Sequence, residues 1–160
     1  MSRLFDPVAF MNETAPENAT RRDPRPAGEA LGQVMKIDYK TGTIKKGDRT
    51  GEAWHRFDVQ IEVTDPEYLA TREHGTGPKE VFTYGLMYDA EPSGAPKVGP
   101  NVNVNLGRFR EACDANGKPW NACIGKFLRI QVIQKPHPDG LTNSDGSPVI
   151  LDEVKAVTKA

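Results

Sequence analysis

The chain lacks any run of 18 apolar residues, so the sequence holds no helix able to span a bilayer, and no membrane partner is expected. It has little cysteine, with only Cys113 and Cys123. Two thiols make no disulfide framework, and the N-terminus MSRLFDPVAF has no apolar signal core, so reduced thiols in a cytosol are expected. The Asn-x-Thr triplets at Asn12 and Asn18 then read as chance matches. Net charge is also missing: 21 Lys+Arg against 22 Asp+Glu leave −1, which gives no global attraction to nucleic acid. Any such binding must come from a local patch.

Reaction chemistry is equally sparse. There is no Gly-x-Ser-x-Gly, no phosphate-loop Gly-Lys-Ser/Thr, and no carboxylate pair at a defined spacing; the three histidines are scattered. Cys113 and Cys123 are ten apart with no histidine spacing that completes a tetrahedral set. The stretch Asn143-Ser-Asp-Gly146 fails as a calcium loop because its first ligand position falls on Leu141. The expectation is a protein that is not an enzyme and takes no metal and no cofactor.

What is present suits one loop-rich β domain. At 160 residues and 37% hydrophobic side chains, a single core can form. The 15 glycines and 13 prolines exceed the usual share of about 12% and belong in turns. From Asn12 to Ala30 the only apolar side chains are Ala and Pro, and Arg21, Arg22 and Arg25 are interspersed with Pro24 and Pro26. Such a stretch buries too little to offset its ordering entropy, so residues 1–27 read as an extended, mobile arm and residues 28–160 as the domain. The more apolar Leu4, Phe5, Val8, Phe10 and Met11 are expected to dock on their own domain, with a neighbouring chain, and hence a homodimer, as the alternative.

Leu31, Val34, Met35 and Ile37 mark a first strand, followed by the turn-rich run Asp38–Glu52. His55, Phe57, Val59, Ile61 and Val63 alternate with Arg56, Asp58, Gln60 and Glu62, a second strand with one buried face. It stops at Thr64-Asp65-Pro66, and a polar loop through Gly75, Gly77 and Pro78 follows. Val81–Tyr88 is a third strand. Asn101–Asn116 reads as a helix, capped by Asn103 or Asn105 and ended at Gly117, with Leu106, Phe109, Ala112 and Cys113 as its buried stripe and Arg110 paired to Asp114. Phe127–Ile133, with Leu128, Ile130 and Val132 inward, and Ile150–Val157 complete the set, separated by a polar loop over Lys135–Pro148. Three strands, a helix and two strands is the order of a five-stranded Greek-key barrel of the OB type.

The segment Asn103-Val-Asn-Leu-Gly-Arg-Phe-Arg-Glu-Ala112 resembles the "NVxLGRLREA" stretch of small phage proteins encoded near replication and recombination genes. Ile124-Gly-Lys126 is similar to that family's "L-x-G", Asp152-Glu-Val-Lys155 to its "N-E-V-K", and the Phe-Asp-Pro opening with its polar arm is also similar. The resemblance covers roughly residues 28–158 and implies an OB fold and single-stranded-DNA binding. One departure is the C-terminus, which carries Lys155 and Lys159 where many phage single-strand binders have an acidic, partner-recruiting tail.

Single strands are held by cations that track phosphates and by rings on which bases stack. From Lys36 to Arg56 six basic residues (Lys36, Lys40, Lys45, Lys46, Arg49, Arg56) face three acidic ones (Asp38, Asp48, Glu52), with Tyr39 and Trp54 beside them. These residues, with Tyr84 and Tyr88 on the third strand and Arg129 and Lys135 as extensions, form the expected interface. The expected partners are single-stranded DNA and phage replication or recombination proteins in a host cytoplasm. The alternative is a non-catalytic structural or adaptor protein that uses the barrel as a scaffold and Phe5–Met11 as its contact.

Overall fold

A computed structural model of the chain describes residues 6–12, 24–70 and 80–160. Five strands, β1 (Gly28–Thr43), β2 (Ala53–Val63), β3 (Val81–Tyr88), β4 (Phe127–Pro136) and β5 (Ile150–Lys159), make one antiparallel sheet in the order β3-β2-β1-β4-β5. The described helices are α1 (Pro7–Asn12), α2 (Pro66–Ala70) and α3 (Val104–Ala112), with a 3₁₀ turn over Trp120–Cys123. The protein is therefore mostly β with few helices. None of the described helices is long and apolar enough to cross a membrane.

Alternation decides which face is dry. Phe57, Val59 and Ile61 of β2 stand opposite Leu86, Tyr84 and Phe82 of β3, and directly opposite residues share a face. Val34, Val59, Ile61 and Leu128 are fully buried, and Phe82, Leu86, Ile130 and Val132 nearly so. The helix adds Leu106, Phe109 and Ala112, the stripe that its spacing predicts, and α3 lies against both β3 and β5. Cys113 and Cys123 are both free and buried. Burial pushes the Cys113 thiol up to about 12 and raises that of Cys123 as well.

An open sheet leaves its two outer strands, β3 and β5, with unpaired edges. Arg25, just ahead of β1, ties them. Its Nε and Nη2 donate to Asp152 Oδ1 at 2.9 and 2.7 Å, and its backbone N–H donates to Asp152 Oδ2 at 2.7 Å. Its Nη1 donates to Glu80 Oε1 at 3.1 Å and to the Val81 carbonyl at 2.6 Å. The guanidinium lies 3.4 Å from the centre of the Phe82 ring. One side chain thus reaches both edges at once. Around it, Gln134 Nε2 donates to the Arg25 carbonyl and the Tyr68 hydroxyl to that of Pro26.

This arrangement corrects the arm expected to run through Ala27. Arg25 and Pro26 are anchored, and the Arg25 charge is spent on carboxylates rather than offered to phosphates. Arg21 and Arg22 lie outside the described residues, as do Leu4, Phe5 and the Gly75–Pro78 loop. The run expected to turn from Asp38 instead continues as strand through Thr43, because Lys36 to Thr43 pair residue for residue with Gln60 to Ala53. The helix is shorter than Asn101–Asn116: left-handed backbone at Asn101 (φ 58°), Asn103 (φ 49°) and Asp114 (φ 55°) bounds it on both sides. Asn103 occupies the cap position, yet its side chain accepts from the Asp89 N–H and donates to the Asp89 and Lys97 carbonyls, stapling the β3–α3 connection. Arg110 donates to the Lys118 carbonyl and Asp114 pairs with Lys159 at 3.4 Å, in place of the expected pairing with each other.

Two outcomes follow for stability. Arg25→Met keeps an aliphatic stem over Phe82 but removes the guanidinium from the buried Glu80 carboxylate; urea unfolding is expected to show a loss of about 3 kcal/mol, with Arg25→Lys restoring only part because an ammonium lacks the planar fork. The raised Cys113 thiol, about 12 against an ordinary 9.0, stabilises the folded state fully below about pH 9, and that contribution is lost as pH rises toward 12. Between pH 8 and 10.5 the melting temperature of the wild type should therefore fall more steeply than that of Cys113→Ala.

Candidate nucleic-acid interface

The wet face of the sheet is set by the same register. Lys36, Asp38, Lys40 and Gly42 of β1 stand opposite Gln60, Asp58, Arg56 and Trp54 of β2. Arg56, Asp58 and Gln60 in turn stand opposite Met87, Gly85 and Thr83 of β3. Two glycines shape this face. A Cβ on Gly42 would come within 2.6 to 2.8 Å of three atoms of the Trp54 indole, and one on Gly85 within 3.1 Å of Arg56 Cδ. The indole therefore lies over Gly42 and the arginine stem over Gly85.

The two side chains also hold each other. The Arg56 guanidinium is 5.0 Å from the Trp54 ring centre, while its Nε and Nη2 donate to the Asp58 carboxylate at 2.6 and 3.2 Å. Both are half-buried. A ring and a planar cation laid on a sheet and fixed from below form a stacking platform that gives up little rotamer entropy on binding.

Charge is less even than the residue types suggest. Lys36 pairs with Asp38 at 3.3 Å and Arg56 with Asp58 at 2.6 Å, which also relieves the repulsion of two aspartates facing each other across strands. Arg49 pairs with Glu52 at 2.6 Å, and that hydrogen bond and charge hold its pKa above the usual value. Lys40, Lys45 and Lys46 form no ion pair with the described residues. The turn of residues 44–52 holds Lys45, Lys46 and Arg49 against Asp48 and Glu52, a formal surplus of one positive charge, and Lys40 adds another on β1 opposite Arg56.

Three of the predicted stacking residues stand elsewhere. Tyr39 is opposite Phe57 and so on the core side, where its hydroxyl hydrogen-bonds His55 Nδ1 at 2.6 Å. Tyr84 and Tyr88 also face the core; Tyr88 is buried and donates to the Gly94 carbonyl. Burial raises the pKa of both phenols. These rings belong to a row that runs from Tyr39 through His55, Tyr88, Phe57 and Trp120 to Phe109, with centres 5.0 to 6.1 Å apart. Arg129 is exposed on β4, and Lys135 pairs with Glu153 at 2.9 Å. Sequence reasoning passed over Gly42, Gly85, Met87 and Phe127. The last two are 54% and 48% exposed on the wet face, a placement that simple alternation against Leu86 and Leu128 would have found.

Two concavities flank the platform. A cleft of about 800 Å³ lies between the hairpin turn, the end of β3 and the start of α3, with Trp54 and Met87 in its wall. Arg49 and Lys97 there meet Asp89 and Glu91, so it carries no net charge of its own. A smaller hollow of about 310 Å³ opens on the core side of the hairpin, lined by Ile37, Tyr39, Phe57, Trp120, Asn121 and Ile124.

The Gly42 contact is directly testable. Gly42→Val places a branched side chain where the indole lies, so Trp54 must lift; acrylamide quenching of tryptophan emission is expected to rise, whereas Gly107→Ala, with open space around its Cβ position, should leave it unchanged. Among known proteins no family model and no curated protein matches the chain, so the reading of this face rests on its own geometry.

Proposed function

We propose that the protein binds single-stranded DNA without strong sequence preference and shields it during phage replication or recombination in a host cytoplasm. The reading rests on one observation: an indole and a guanidinium lie flat on the wet face of a sheet, on a hairpin that also carries three lysines with no ion pair among the described residues. Bases stack on the former and phosphates meet the latter. The strand order β3-β2-β1-β4-β5, with the helix between the third and fourth strands and the outer strands drawn together by Arg25, supports a Greek-key barrel of the OB type, the fold that the phage-family resemblance implies. A second reading, a non-catalytic adaptor using the barrel as a scaffold, draws support from the bare apolar surface of α1, where Val8 and Met11 are 72% and 79% exposed.

Anisotropy of a labelled oligothymidine separates the two. Three phosphate contacts predict a log–log salt slope of about −2, since each contributes roughly 0.7 on single strands. Reversing Lys45 and Lys46 to Glu should flatten that slope by more than one unit. Trp54→Ala is expected to weaken binding about 5- to 150-fold, the equivalent of one stacked base at about 1–3 kcal/mol. Absence of binding at high micromolar protein and low salt would leave the adaptor reading.

A further inference from the structure

The pattern that carries the platform occurs twice in the sheet. On β2 it is Trp54-His55-Arg56, and at the start of β4 it is Phe127-Leu128-Arg129. Residues two apart in a strand share a face, so each pattern sets a ring and a guanidinium on the same surface. That surface is the wet one in both cases. Phe127 stands opposite Gln33 of β1, and Gln33 stands opposite Glu62, which shares its face of β2 with Arg56 and Trp54. Leu128, between the second ring and its arginine, is fully buried, which turns Phe127 outward and leaves it 48% exposed.

The second ring is fixed by its backbone and freed in its charge. Just ahead of it, the Gly125 N–H donates to the Val34 carbonyl at 2.7 Å and the Val34 N–H to the Lys126 carbonyl at 2.9 Å. The Gln33 side chain donates to the Gly125 carbonyl at 3.1 Å. A lone exposed ring is ordinary on a protein surface; here it comes with cations. Lys126 and Arg129 are exposed and form no ion pair with the described residues. The residues directly opposite Arg129 are Leu31 and Thr158, neither of them acidic. An anchored ring beside unpaired cations is what a base and its phosphate require.

We propose that Phe127 and Arg129 form a second nucleotide subsite, and that a bound single strand crosses the wet face from Trp54 to Phe127. The proposal rests on the reading of this face as a single-strand interface. The span follows from the ladder. Trp54 and Glu62 are eight positions apart on β2, about 26 Å along the strand, and β4 lies two strand spacings from β2, about 10 Å. The diagonal is about 28 Å, which a strand stacked as in B-form covers with about eight nucleotides and an extended one with roughly half as many. Both fall within the range of about 4–16 nucleotides for sites of this kind. Between the rings the face carries Gln33, Gln60 and the mutually paired Lys36 and Asp38, so the two ends grip the strand and its middle is bridged.

Labelled oligothymidines of two lengths test it: one of about three nucleotides, too short to join the rings, and one of about 12, long enough for both. Phe127→Ala should weaken the long oligomer about 5- to 150-fold, as the loss of one stacked base, and the short one less than about twofold, because Trp54 still takes it. Phe127→Trp should keep the affinity for the long oligomer, whereas Phe127→Leu, apolar but without a ring, should lose it. Arg129→Gln should flatten the salt slope of the long oligomer by about 0.7. Both positions are exposed, so folding is preserved and circular dichroism checks it. If Phe127→Ala or Phe127→Leu binds the long oligomer as tightly as the wild type while Trp54→Ala does not, the second subsite is overturned and the platform stands. An equal loss at both lengths overturns the crossing path. A wild type that binds neither oligomer overturns the single-strand reading itself, and the subsite with it.

Discussion

The fold depends on a guanidinium that satisfies two strands at once. A five-stranded sheet curled around one core must do something with its outer edges, and here no ladder is drawn between β3 and β5. Arg25 supplies what a ladder would have supplied: donors for a β3 carbonyl and for a β5 carboxylate, from a planar group that also covers the Phe82 ring. The helix α3 completes the job along the same seam by lying on both strands. Because the clasp comes from a residue ahead of β1, the root of the N-terminal arm is part of the domain.

With the edges held, the β1–β2 hairpin is free to project. Its inner side continues the core outward as a row of rings, and its outer side carries the flat Trp54–Arg56 pair. The two sides divide the chemistry: aromatic and apolar toward the hollow, planar and cationic toward water. Acidic partners hold Lys36 and Arg56 on the strands and Arg49 in the turn, whereas Lys40, Lys45 and Lys46 form no ion pair with the described residues. The hairpin thus carries three lysines without an ion pair among the described residues, on the element that also holds the flat Trp54 ring.

Much of this was legible in the amino-acid order. The period-two pattern of β2, the bounds of β3 and the helical stripe of Leu106, Phe109 and Ala112 follow from which side chains must leave water, and they stand where alternation puts them. The start of the helix is not readable locally, because the Asn103 side chain can bond either the helix or the neighbouring loop, and only the tertiary neighbour decides. The extension of β1 through a Lys-, Gly- and Thr-rich stretch was hidden for a similar reason: its pairing comes from β2, not from its own propensities. On the third strand both faces are apolar enough that the sequence leaves open which is dry, and the register with β2 places Tyr84 and Tyr88 on the core side. The role of Arg25 depends on Asp152, 127 residues away, and no local pattern announces it.

The two buried thiols carry a consequence for how the molecule breathes. Cys113 closes α3 and Cys123 closes the 3₁₀ turn, and each is sealed from solvent and held in its protonated, unreactive form. A thiol reagent can reach them only when the packing between that helix and the sheet comes apart. The rate at which the native chain takes up such a label therefore measures how often its centre opens, separately from any motion of the β1–β2 hairpin.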